Sequence, residues 1–290
     1  MLKQRIITAL ALLILLVPAL IVPNPAPLAL LSLILCCLGA WEWGKLNAIA
    51  FSYSACLGVI CALICAVCWY YQLLSDPNYY FWLVCSACWV LFGSWLLRVG
   101  PQGWLNIYIL LRLIGGVFAL CATWLAINQA RAIGFNFLLS VFALVWSADI
   151  GAYFFGRAFG RRKLAPNISP GKSWEGVLGG VIAVFALSTI WIWLDSQRPG
   201  LQLGAAPLIT DTVQGISFFT LLAGKGLLIQ VCGLVFMVAM SVMGDLIESL
   251  VKRSVGAKDS SHLLPGHGGV LDRIDALLPT LPIAMFWSLM

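Results

Sequence analysis

Asp245, Glu248, Ser249 and Lys252 are spaced at i, i+3, i+4 and i+7, which puts all four on one face of a helix. Asp272 and Asp275, three apart, repeat the arrangement at the start of the next apolar run. Between and beside them stand Arg253, Lys258, His267, Gly268, Gly269 and Arg273. Converging carboxylates repel one another unless a cation sits between them, and hard oxygen ligands suit Mg²⁺. The bases of the joining loop can hold phosphate, and its glycines let backbone amides approach an anion. Together these residues point to metal-assisted phosphate chemistry. Two blander readings stand beside that one. Asp245 or Glu248 simply pairs with Lys252, and His267 is a structural hydrogen-bonder instead of a proton-transfer group. His262 has no such framing and is read as incidental.

A second set lies at 147–180. Ser147 and Asp149 lead through Gly151, Tyr153, Gly156, Arg157, Gly160 and Arg161 to Ile168-Ser169-Pro170-Gly171-Lys172-Ser173, with Glu175, Gly176, Gly179 and Gly180 following. Gly171-Lys172-Ser173 resembles a P-loop, but the motif's first glycine is missing and no preceding strand is expected. Lys172 and Ser173 at a helix entry suit phosphate binding through the ammonium and the terminal amides, or an interfacial anchor and helix cap. Asp149 sits in an apolar helix with no base beside it, which favours a functional role.

The elements that position these groups must cross a membrane. With 62% hydrophobic and 10% charged residues and a mean hydropathy of +0.99, the chain is no ordinary soluble domain. The expected fold class is all-α, a polytopic membrane bundle of about nine transmembrane helices. They fall at 4–22, 27–45, 50–74, 79–98, 104–127, 132–155, 174–194, 222–251 and 271–290. An N-in/C-out topology leaves only Arg131, Arg198 and Lys225 outside, with Arg112 and Arg273 within spans and the rest of the 17 basic residues inside. The loops 156–173 and 252–270 then face the cytoplasm, whereas 195–221 reads as a plain outer connection. Residues 1–131 read as an N-terminal scaffold and 132–290 as the catalytic region.

Several conspicuous features carry less. The first span follows Lys3 and Arg5 like a secretory signal, but its length and Pro18 and Pro23 favour an uncleaved helix. Glu42 reads as an interface anchor beside Lys45. Arg112, placed eight residues into the fifth span, must snorkel or pair. Cys65-x-x-Cys68 and Cys85-x-x-Cys88 have zinc-ribbon spacing, yet all 10 cysteines fall in apolar spans, where thiols behave as small hydrophobes. The net charge of +6 is accounted for by the inner loops, so nucleic acid is not an expected partner.

The run Ser249-x-Val251-Lys252-Arg253-x4-Lys258-Asp259-x-Ser261-x2-Leu264-Pro265-x-His267-Gly268-Gly269-Val270-x-Asp272-Arg273-Ile274-Asp275 resembles the signature of the phosphatidate cytidylyltransferase family, the CDP-diacylglycerol synthases. The stretch from Asp149 to Gly180 is similar to the family's second characteristic region. The resemblance implies cytidylyl transfer from CTP to phosphatidate at the cytoplasmic face of a bacterial inner membrane, with Mg²⁺ required and K⁺ in keeping with it. It implies Asp245 and Asp272 as metal ligands, with Asp275 and Asp149 as additional or outer ligands. Lys252, Arg253, Lys258, Lys172 and Arg273 would hold phosphate or pyrophosphate, positioned by Ser249 and His267, with Ser173, Gly268 and Gly269 also on the substrate. A homodimer is left open. The alternatives are a CTP-dependent polyprenol or phytol kinase, a CDP-archaeol synthase, or an anionic-lipid transporter. One-sided clustering of the ionisable groups disfavours the transporter.

Overall fold

The computed structural model describes residues 2–197 and 215–290. Its helices are α1 (Leu2–Ile21), α2 (Ala26–Leu46), α3 (Phe51–Tyr70), α4 (Tyr79–Leu105), α5 (Ile109–Ile133) and α6 (Phe135–Phe159). A hairpin of β1 (Lys163–Ala165) and β2 (Ser169–Ser173) follows, then α7 (Trp174–Ser196), α8 (Phe218–Gly224), α9 (Leu227–Ser254), α10 (Leu271–Ile274) and α11 (Leu277–Leu289). Among the described residues seven helices, α2 to α7 and α9, are long and apolar enough to cross a membrane. The chain is therefore an all-α polytopic membrane protein. Large apolar side chains such as Leu91, Leu63 and Ile190 stand exposed on its flanks, as a lipid-facing surface requires.

Local chemistry sets the helix ends. Asn78 caps α4 by accepting from the Phe81 amide at 3.0 Å, and Ser217 caps α8 through the Thr220 amide at 3.1 Å. The expected eighth span divides at Gly226, whose φ of 103° belongs to glycine, into α8 and α9. The expected ninth span divides at Asp275 and Ala276 into α10 and α11. At 13 residues α11 is about 20 Å long, shorter than a hydrocarbon core of about 30 Å. It lies inside the bundle, with Leu281, Ile283, Ala284 and Met285 fully buried. Since α5 begins at Ile109, Arg112 stands in its first turn, not eight residues deep. There its guanidinium lies 5.7 Å from the Trp104 ring centroid.

One buried core runs through the whole bundle. Helices α4 and α5, from 1–131, pack against α11 from 132–290, and α4 also packs on α9. The tightest pairing is α6 on α7. A Cβ on Gly151 would meet the Gly179 carbonyl at 2.6 Å, and one on Gly180 would meet the Ala148 carbonyl at 2.8 Å. Only glycine lets these backbones come so close. At the other end of that pair the buried Asp195 accepts from Asn136 at 3.0 Å and from Thr220 at 2.7 Å. The segment 195–221, read as a plain connection, thus begins with a carboxylate that ties α6, α7 and α8 together. The sulfurs of Cys61, Cys65 and Cys121, from α3 and α5, lie within 4.8 Å of one another. The cluster draws one residue, Cys65, from the two Cys-x-x-Cys pairs.

Candidate active site

The helical face anticipated on α9 forms, but its groups divide between two lysines. Lys172, carried by β2, reaches Asp245 at 2.6 Å, and Ser249 donates to the other oxygen of Asp245 at 3.2 Å. Lys252 is buried and holds two carboxylates at once, Glu248 and Asp272, each at 2.5 Å. Asp245 and Asp272 are therefore held by different lysines. Asp275 lies in the field of both groups, sensing Asp245, Lys172 and Lys252.

Asp272 organises the loop before it. Its Oδ2 accepts from the Ser260 amide at 2.9 Å, the Ser260 hydroxyl at 2.9 Å and the Gly269 amide at 2.7 Å. With Lys252 on its other oxygen, the buried carboxylate has its charge compensated and its lone pairs satisfied. Gly268 has a φ of 82°, and a Cβ there would crowd the Asp272 carboxylate at 2.5 Å. The anion approached by Gly268 and Gly269 in this structure is therefore the chain's own Asp272. His267 turns a buried Nδ1 inward with no hydrogen-bond partner, while its carbonyl holds Arg273 through Nε at 3.1 Å and Nη2 at 2.8 Å. Arg253 donates to the carbonyls of Ile168 at 3.3 Å and Ala257 at 3.2 Å, and Lys258 is exposed.

Sequence reasoning missed the role of Glu42. It is fully buried and accepts four hydrogen bonds from the same loop. Oε1 takes the Ser261 hydroxyl at 2.5 Å and the Val270 amide at 3.0 Å, and Oε2 takes the Ser260 hydroxyl at 3.0 Å and the Leu271 amide at 2.8 Å. It is a fastener for the loop and for α10, not an interface anchor. Lys45, whose proximity suggested the anchor, instead lies over the Trp41 ring at 4.5 Å. The signal that was present was a lone carboxylate in an otherwise apolar helix.

The second set assembles around the hairpin. A strand does precede Gly171-Lys172-Ser173, β1 ending at Ala165, but the triplet itself lies in the second strand, β2, and Pro166 stands where a P-loop has its first glycine. Glu175 accepts from the amides of Arg161 at 3.1 Å and Arg162 at 3.2 Å, closing the loop onto α7. Ser173 is buried and caps α7 by accepting from the Gly176 amide at 3.1 Å, so its hydroxyl serves the helix. Lys172 is no lipid anchor, because Asp245 holds it inward. Asp149, near the end of α6, makes no hydrogen bond among the described residues and shares the field of Lys172, Asp245 and Arg273.

Among the described residues no three carboxylates bring oxygens within 4.8 Å of one another. A hard divalent ion still fits, because Mg²⁺ commonly takes one or two protein carboxylates and completes its shell with water and substrate phosphate. Asp245, part-exposed and held only by a lysine and a serine, and the unpartnered Asp149 offer such oxygens.

The model of the cytidylyltransferase family matches residues 3–290. The chain belongs to the cytidylyltransferase family. Within it, the chain is 38% identical over 297 residues to the phosphatidate cytidylyltransferase of Pseudomonas aeruginosa, covering 99% of this chain and 98% of that one. It is 36% identical over 314 residues to the phosphatidate cytidylyltransferase of Haemophilus influenzae, again covering 99% and 98%. The similarity to the Bacillus subtilis enzyme of the same name is 36% over 163 residues, covering 56% of this chain and 51% of that one. In this chain the paired lysines and carboxylates gather where α9, α10 and the hairpin meet.

Proposed function

We propose that the chain transfers the cytidylyl group of CTP to phosphatidate, forming CDP-diacylglycerol and pyrophosphate for phospholipid synthesis. Its near-full-length match to two phosphatidate cytidylyltransferases carries this reading. The geometry supports it. A phosphate oxygen of phosphatidate attacks the α-phosphorus of CTP, a P–O bond forms, and the bond to the bridging oxygen of pyrophosphate breaks. The attacking oxygen is already anionic, so alignment and charge neutralisation, not a strong base, dominate the work asked of the protein. Lys172 and Lys252 stand ready as cations that exchange carboxylate partners for substrate phosphate. Arg253, Lys258 and Arg273 add positive charge around them. Asp272, with Glu42, keeps Ser260, Gly269 and the start of α10 in place.

Mg²⁺, held by Asp245 with Asp149 and Asp275 nearby, would supply charge neutralisation for the triphosphate. Asp272, now held by Lys252, would be a further ligand in this reading, and K⁺ is a candidate second ion. The topology proposed is N-in/C-out with nine passages, the last made by α10 and α11 together. The active site then faces the cytoplasm, a placement supported by the basic residues on that side.

The decisive experiment uses purified protein, phosphatidate, titrated Mg²⁺ and CTP labelled at either the α or the γ phosphate. Label from the α position enters the lipid if the reading is right. Label from the γ position would show a kinase, and no lipid product at any Mg²⁺ concentration would end the proposal.

A further inference from the structure

A cleft of about 650 Å³ opens between α4, the hairpin turn and the end of α9. Arg98, Gly100 and Pro101 of α4 form one wall, Pro166 and Ile168 of the hairpin turn form another, and Arg253 closes it. The α4 wall exists because the helix breaks. Gly100 takes φ 69°, ψ −170°, and Pro101 follows it. Two arginines and no carboxylate line the space among the described residues. Arg98 is exposed and has no hydrogen-bond or ion-pair partner among them, and Arg253 contacts only neutral carbonyls. Both guanidinium charges therefore stand uncompensated at a concave surface, the arrangement that binds a phosphate monoester.

We propose that this cleft docks the phosphate of the acceptor lipid. Arg98 and Arg253 bind the headgroup phosphate, while Leu97, Pro101 and Pro166 meet the first atoms of the acyl chains. The inference rests on the function proposed above and adds to it an acceptor subsite and a residue, Arg98, outside the signature run. Two placements select a lipid over a soluble anion. Trp95 and Val99, 45% and 38% exposed, flank Arg98 on a membrane-spanning helix, so the cleft bords on the bilayer side of the bundle. Its walls also carry apolar side chains that free phosphate has no use for. Ile168 leads directly into β2, which carries Lys172 to Asp245, and Arg253 adjoins Lys252. The two cleft walls formed by Ile168 and Arg253, which are hydrogen-bonded to each other, thus continue along the chain into the segments that carry the groups assigned to the nucleotide.

The test compares wild type, Arg98→Gln and Arg98→Lys, each checked for an unchanged melting temperature. In mixed micelles without CTP, wild type should retain labelled phosphatidate but not diacylglycerol, and inorganic phosphate should not displace it. Arg98→Gln should weaken that binding roughly tenfold, the loss of one charge-assisted contact, and Arg98→Lys should recover much of it. In turnover assays Arg98→Gln should raise KM for phosphatidate by a similar factor, with a much smaller change in KM for CTP. Undiminished phosphatidate binding by Arg98→Gln, or an equal rise in both KM values, overturns the subsite. Displacement by inorganic phosphate as effective as by short-chain phosphatidate assigns the cleft to a soluble anion and also overturns it. If wild type makes no CDP-diacylglycerol, the functional reading fails, while the binding comparison still decides the cleft.

Discussion

Asp245 and Asp272 differ in what they leave available. Asp245 has one lysine and one serine, whereas Asp272 has a lysine, two amides and a hydroxyl. Both substitutions, Asp245→Ala and Asp272→Ala, should cut turnover by roughly a hundredfold or more, the scale of losing a positioned charge at a reacting phosphate. They should differ in the loop. Asp272→Ala should speed amide exchange at Ser260 and Gly269, and Asp245→Ala should leave those amides protected. Wild-type rates in purified, Mg²⁺-supplemented variants would remove either residue from the site. Glu42 offers a second comparison. In Glu42→Gln an amide group replaces one acceptor and faces donors, so at least two of four hydrogen bonds fail, at about 1–3 kcal/mol each. Turnover should fall and the Val270 and Leu271 amides should exchange faster. Unchanged exchange would mean that the loop is held by Asp272 alone.

Helix packing explains how Asp149, on α6, and Lys172, just ahead of α7, come to share one field. Backbones at Gly151, Gly179 and Gly180 touch with no room for a side chain. Gly151→Val should force α6 from α7 at about 1–3 kcal/mol, lower the melting temperature and reduce turnover with it. Gly115 in α5 is the control, since a Cβ there meets nothing within 4 Å. Gly115→Ala should leave both unchanged or raise stability slightly, as an alanine favours helix. Equal effects from the two substitutions would show that glycine content, not the α6–α7 contact, matters. The hairpin is a second positioning device. Its closure by Glu175 and the Ser173 cap aim Lys172 at Asp245.

Across the whole molecule, the loop bearing the site is clamped from both halves of the chain, by Glu42 from α2 and by Asp272 from α10. The first helices, which look like chemically silent scaffold, therefore reach the proposed active site. Orientation in the membrane is testable at Lys163, exposed at the start of the hairpin. In a cysteine-free background, Lys163→Cys should react with an impermeant maleimide in inverted vesicles and stay unlabelled in intact cells. Labelling in intact cells alone would reverse the topology.

Hydropathy, the spread of basic residues and the run from Ser249 to Asp275 make the membrane bundle, its family and most of the charged groups of the site legible in the sequence alone. Those signals are local: an apolar stretch must be a helix in lipid, and residues three or four apart share a face. Pairings between distant segments carry no such local mark. Lys172 with Asp245, Glu42 with Ser261 and Val270, and the Arg98–Arg253 cleft join residues far apart in the chain. Only the packing of α2, α4, α9 and the hairpin decided them, because a buried charge takes whichever partner the neighbouring backbone brings within reach.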